Sequence, residues 1–209
     1  MLDDAATKHY PTRVVPPPLF RVKGVLYLGT IADFEREVPG GLATLLAEIA
    51  DPELRDFIGQ PFLPSSWYDV LPAPRLIRAE AAARRSDIPS YLAQRTRYQA
   101  ERDLGGVYRF ALRIASPARV VTFLPKVAAQ MFDFARASIE TREERRTTFV
   151  IRGIPSECGF WLKTSFQIYT RVALERAGAA NITTDAALHF DGDTAGHRIE
   201  RLEVDVRWT

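Results

Sequence analysis

The sequence predicts an α+β fold, with a helical N-terminal part packed on a small antiparallel four-stranded sheet at the C-terminus. Three observations carry this. Apolar and polar residues alternate over 137–142 and 147–154 around a charged tip, and again over 181–190 and 199–208. Alternation of that kind is strand periodicity. Between these two hairpins, residues 156–177 carry helical spacing. The order hairpin, helix, hairpin suits a sheet with one helix across one face. Before it, helical spacing interrupted by Pro and Gly dominates residues 30–134.

The elements follow in order. Residues 1–18 read as an extended tail, because Pro11 and the run Pro16-Pro17-Pro18 oppose helix and favour polyproline II. Residues 19–209 read as one domain, helical over about 30–134 and sheet over about 136–208. Residues 20–28 (FRVKGVLYL) predict a first buried strand with Gly24 as a bulge. Thr30 is the expected N-cap of the next helix. Pro39-Gly40-Gly41 breaks the chain, and Leu42, Leu45, Leu46 and Ile49 then recur at helical spacing up to Asp51-Pro52. A short helix over 52–58 leads to the aromatic connector 61–71. Leu76 and Ile77 belong to another helix, and Ser86-Asp87 caps one over 88–104. That helix is rich in Arg, Gln and Glu and reads as a solvated face. Ser116-Pro117 starts a helix over 117–134 with a break or kink at Pro125. In the last hairpin, Asp191-Gly192-Asp193 reads as the turn.

Composition narrows the function. With 28 basic and 26 acidic residues the formal net charge is +2. No general field attracts nucleic acid or an anionic membrane. Lysine occurs only at 8, 23, 126 and 163. The Arg bias suits either anion recognition or a GC-rich genome. One cysteine, Cys158, excludes an intramolecular disulfide, and no nearby His completes a catalytic Cys–His pair. No apolar run reaches the roughly 18–20 residues that span a bilayer. No secretory leader is visible, so the expected location is the cytoplasm.

The chemistry-bearing residues are few. His189, Asp191, Asp193 and His197 cluster in the last hairpin. If its strands pair around that turn, two imidazoles and a carboxylate could hold zinc; a hairpin tip with solvated histidines is the competing reading, and it leaves no metal. Haem would need an axial His or Cys in the helical half. No His stands between residues 20 and 188, and Cys158 is the only thiol. The sequence therefore predicts no catalytic residue and no cofactor. An aromatic set remains, of which Trp67, Tyr68, Tyr108 and Trp161 come from segments that must meet if the two parts pack together. Arg109 is the candidate polar anchor, since its planar guanidinium suits an anionic headgroup.

Several segments carry a resemblance to a known family: FRVKGVLYLG near the start, LPSSWYDVLP before the middle helices, DLGGVYRFALRIASP, LPKVAAQMFDFARASI, and the closing GDTAGHRIERLEVDVRW. Together they span roughly residues 20–208. The chain resembles a myxobacterial paralogous family of uncharacterised function. That family is distantly similar to 4-vinyl-reductase-like and haem–nitric-oxide-binding domains. The resemblance implies an α+β fold with a cleft between a helical part and a sheet, and no defined activity. Relatives often carry cysteines in the last hairpin, where this chain has His189, Asp191, Asp193 and His197. A cysteine-based metal or redox role therefore does not carry over.

The leading functional expectation is a non-enzymatic signalling or regulatory module. Its partner would be another protein or a small apolar or amphipathic molecule bound between the two parts. The alternative is a homodimeric protein–protein adaptor without ligand, and third comes an enzyme of unrecognised site. Neither nucleic acid nor a membrane span is expected. Fold by itself does not fix function.

Overall fold

The structure is a computed structural model and describes residues 17–105 and 115–209. It has the predicted α+β architecture: seven helices among the described residues and a four-stranded antiparallel sheet at the C-terminus. The helices are α1 (Val25–Glu37), α2 (Gly41–Glu48), α3 (Pro52–Gly59), α4 (Pro72–Ala83), α5 (Ile88–Gly105), α6 (Pro117–Met131) and α7 (Ser156–Arg176). A two-stranded ribbon pairs β1 (Arg21–Lys23) with β2 (Trp67–Asp69). The main sheet is built from β3 (Arg136–Arg142), β4 (Arg146–Pro155), β5 (Thr183–Thr194) and β6 (His197–Arg207), in the order β3-β4-β6-β5.

The two hairpins pair as the alternation predicts. Ile139 lies opposite Phe149 in one, and Leu188 opposite Leu202 in the other. The hairpins join through β4 and β6, where Phe149 faces Val204 and Thr147 faces Val206. Phe149, Ile151, Leu202, Val204 and Val206 form the buried face. Helix α7 lies across β4, β5 and β6 and packs on its other side against α5. Its residues Cys158, Leu162, Val172, Ala173 and Leu174 are buried, and Trp161 is 8% exposed. One continuous core runs from the helical part into the sheet.

Four expectations need correction. Residues 20–28 do not form one strand: β1 stops at Lys23 and α1 begins at Val25. The reason lies at Gly24. Its N–H donates to the Ser66 carbonyl at 2.9 Å, and that of Val25 donates to Pro64 at 3.1 Å. A Cβ at position 24 would collide with the Leu63 carbonyl and the Tyr68 ring, so only glycine admits this turn from strand to helix. Thr30 is consequently no cap. It is buried in mid-helix, where its hydroxyl donates to the Leu26 carbonyl at 3.2 Å.

The final hairpin does not turn at Asp191-Gly192-Asp193. β5 continues through these residues with a register shift between Phe190 and Asp193. The tip is Ala195-Gly196, both at positive φ (49° and 83°), as a tight two-residue hairpin turn requires. This register pairs His189 with Arg201 and His197 with Thr194, so the two histidines do not face each other. Asp191 is held by Arg152 at 3.0 Å. Among the described residues, no three His, Cys, Asp or Glu side chains gather as a metal site. The fourth correction concerns α5, whose polar sequence is not wholly solvated: the Arg95 side chain is 10% exposed and pairs with the fully buried Glu80. Helix α6 runs through Pro125, which is buried inside it, so the chain does not break there. No described helix is long and apolar enough to cross a membrane.

Candidate functional site

The two parts of the molecule meet along an aromatic seam. Val22 of β1 bridges to Phe132 at the end of α6. Asp133 fixes this approach by accepting from the Arg21 backbone N–H at 2.7 Å and from its Nε at 2.5 Å. From Phe132 the rings continue to Trp161 on α7, with centroids 6.0 Å apart, and to Phe134 at 5.5 Å. Phe134 meets Phe20 edge-on at 5.7 Å, and Phe20 meets the His197 ring at 5.4 Å. Edge-to-face rings of this kind add attraction beyond the area they bury.

A second aromatic group lies on the helical side. Tyr27 stacks on Phe62 at 4.8 Å and meets Phe57 edge-on at 5.1 Å, and Phe62 meets Tyr68 at 4.8 Å. The Tyr27 hydroxyl donates to the Asp69 carbonyl at 2.6 Å. Burial keeps that phenol well above its ordinary pKa, with Asp69 adding to the effect. Cys158 lies near the same groups. Burial, then the Glu157 and Asp69 charges, push its thiol up, which leaves it a neutral packing group and not a nucleophile.

The structure separates the expected ligand residues. In the β1–β2 ribbon, Val22 opposes Tyr68 while Lys23 opposes Trp67. Alternation therefore puts Tyr68 on the core face and Trp67 on the outward face. Tyr68 packs on Phe62 and its hydroxyl accepts from the Leu63 N–H at 2.8 Å. Trp67 is half-buried under the Lys23 ammonium, 3.8 Å from the ring centroid. Trp161 faces Phe132 from the other side of the seam. Tyr68 and Trp161 are thus linked through Val22 and Phe132, and Trp67 stands outside that line. Tyr108 and Arg109 lie outside the described residues.

Buried side chains of both parts join one core along this seam. An open hollow of about 610 Å³ lies elsewhere, lined by Arg171, Glu175 and the 179–183 turn beyond the C-terminal end of α7. A small notch of about 10 Å³, bounded by Gly29, Asp33, Arg95, Tyr98, Gln99 and Arg102, opens beside α5. Arg95, which lines that notch, bonds a group missed in the sequence, the carboxylate of Glu80. Its signal was present: Glu80 follows Leu76 and Ile77 by four and three residues, so it shares their apolar face. A carboxylate on such a face needs a buried partner.

No family model matches the chain, and neither does any curated protein. Solved structures do. The fold is similar to an Fe(II) unliganded H-NOX protein from K. algicida, with a TM-score of 0.58 at 9% identity over 90% of this chain and 96% of the other. It is also similar to an oxygen-binding H-NOX domain related to soluble guanylate cyclases, with a TM-score of 0.60 at 10% identity over 90% and 95%. A T. Tengcongensis H-NOX variant gives 0.59 at 10% identity, over 90% and 97%. The haem–NO-binding part of the expected resemblance is thus matched as a fold. At these identities the likeness concerns architecture alone.

Among the described residues, the donors do not fit a haem held through imidazole or thiolate. No His occurs between residues 20 and 188. His189 lies on edge strand β5, 3.8 Å from Glu203 with a 43% exposed side chain, and His197 is engaged with Glu157 at 2.9 Å. The Cys158 thiol is buried and held neutral. Ligation through imidazole or thiolate needs such a group free and facing the core, and His189, His197 and Cys158 supply none.

Proposed function

We propose that the chain is a non-enzymatic signalling module with the H-NOX architecture, working without haem. In this reading it binds a small apolar or amphipathic molecule between its helical part and its sheet. The observation that carries it is the coincidence of that whole-chain fold with an aromatic seam and a donor set unsuited to haem. Tyr68 and Trp161 are the proposed wall residues, because they approach the seam from opposite parts. Arg109 is the proposed polar anchor on its chemistry alone, with Tyr108 beside it in sequence. Trp67 belongs to the ribbon's outer face and is proposed to act only at the rim. The cytoplasm is the proposed location.

Native mass spectrometry of the purified chain tests this. The expected spectrum shows a small organic molecule retained on the wild type and lost from Trp161→Phe and Arg109→Gln. A chain that carries nothing, and forms a stable dimer instead, would replace the ligand reading with the adaptor reading.

A further inference from the structure

The helical part contains a buried charged cluster that the seam does not use. Helix α4 contributes Glu80 and its C-cap Arg84, α5 contributes Tyr91 and Arg95, and α1 contributes Thr30 and Asp33. Glu80 is fully buried. Its Oε2 accepts from the Tyr91 hydroxyl at 2.9 Å and from Arg95 Nη1 at 3.0 Å. Its Oε1 is equally buried and has no partner. Arg95 also donates to the Thr30 hydroxyl. Arg84 donates to Asp33 at 2.8 Å, and Arg36 reaches the same carboxylate at 2.6 Å. The Arg84 Nε is buried without a partner, one helical turn from Glu80.

This arrangement is unbalanced in a specific way. Both donors fall on one oxygen, and the other is buried without a partner. An ionised carboxylate has about four acceptor positions to fill, and leaving one oxygen unsolvated costs more than a neutral carboxyl would. The notch beside Gly29 encloses about 10 Å³, room for a single water. Arg95 lines that notch and touches Glu80. It is therefore the hinge between the bare carboxylate and solvent.

We propose that Glu80 is a proton-linked latch: its neutral carboxyl keeps α1, α4 and α5 closed and dry, and its ionisation draws water past Arg95 and loosens α5. The proton leaves the carboxyl for bulk water through the same notch. The groups facing the carboxyl are Asp33 from α1, Arg84 on its own helix, and Tyr91 and Arg95 from α5. Tyr169 of α7 acts on Arg95. Burial raises the Glu80 pKa, and the Arg95 charge and the Tyr91 hydrogen bond only partly oppose it. The closed state therefore holds the proton more tightly than a solvated carboxyl does, so closure is strongest at acid pH and weakens as pH rises. The consequence reaches the sheet, because α5 is tied to α7. Tyr169 donates to Asp103 at 3.0 Å, Arg97 pairs with Glu175 at 3.2 Å, and Arg176 donates to the Glu101 carbonyl at 2.9 Å.

Hydrogen exchange of the α5 amides tests the latch. It is followed by mass spectrometry from about pH 5 to about pH 8 and corrected for intrinsic exchange, with the β4 amides as internal control. Wild-type α5 protection is expected to fall as pH rises across this range. The isosteric Glu80→Gln variant should hold its protection flat. Tyr91→Phe, which removes a donor to the ionised form, should move the fall to higher pH; it keeps the test open if Glu80→Gln fails to fold. Wild-type protection that is flat in pH, a Glu80→Gln variant that keeps the wild-type fall, or a Tyr91→Phe variant whose fall does not move would each overturn the proposal.

Discussion

Two acidic residues, one in each part of the molecule, show how differently the parts handle charge. Asp205 lies on the open face of the sheet with a 16% exposed side chain. Arg146 Nε donates to it at 2.8 Å, the Thr148 hydroxyl at 2.9 Å and Arg207 Nε at 2.8 Å, so both oxygens are engaged. Glu80 is sealed among helices with two donors on one oxygen and none on the other. Burial raises both pKa values. At Asp205 the donors outweigh burial and the net shift is downward, whereas at Glu80 burial wins. Complete pairing at a wet rim makes a carboxylate a stabilising group, and incomplete pairing in a dry interior makes it a proton-sensitive one.

The largest effects should come from breaking each part at its centre. Phe149→Ala removes a fully buried ring from the central strand and is expected to cost about 3–5 kcal/mol; Trp161→Ala should fall in the same range. Arg95→Met leaves Glu80 buried without its cation and is expected to cost about 3–5 kcal/mol at neutral pH. The two sites separate by pH. The Arg95→Met deficit should shrink as pH falls towards about 4.5, where the solvated carboxyl takes up its proton, while the Phe149→Ala deficit should not move. Urea midpoints measured across pH read both, and a pH-independent Arg95→Met deficit would remove the distinction between the regions.

Asp205→Asn should cost about 1–2 kcal/mol at neutral pH, the scale of lost hydrogen bonds to a charged group. The sign with pH is opposite to that of Glu80. A carboxylate whose folded pKa is depressed contributes above its unfolded pKa and loses that contribution as pH falls. Wild type and Asp205→Asn should therefore converge in strong acid, and thermal melts there would show it. A smaller effect belongs to an ordinary exposed polar contact of the helical part. Asp51 caps α3 by accepting from the Glu53 N–H at 2.9 Å, so Asp51→Ala should lower stability by about 1 kcal/mol at neutral pH.

The sheet was legible in the sequence because its pattern is local. Alternation from Thr147 to Ile154 and from Ile199 to Trp208 names the buried face directly, and register follows from burying it. What was not legible depends on neighbours far along the chain. The helical start at Val25 is set by the Ser66 and Pro64 carbonyls, some forty residues away. The hairpin tip moved to Ala195-Gly196 because a bulge absorbed the residues whose composition reads as a turn. Arg95 reads as a surface residue until Glu80, fifteen positions earlier, is set beside it. The aromatic seam was legible only in part. Trp161 lies in it against Phe132, Tyr68 packs on Phe62 beside it, and Trp67 turns outward because strand side chains alternate.

The proposal most open to test is that this chain, similar in fold to H-NOX domains, works without haem. Titration of the purified protein with ferric and ferrous haem, followed by absorption spectroscopy, tests it most directly. The account predicts spectra that remain those of unligated haem in buffer, with no saturation at one haem per chain. A ligated-haem spectrum that saturates at one per chain would contradict it.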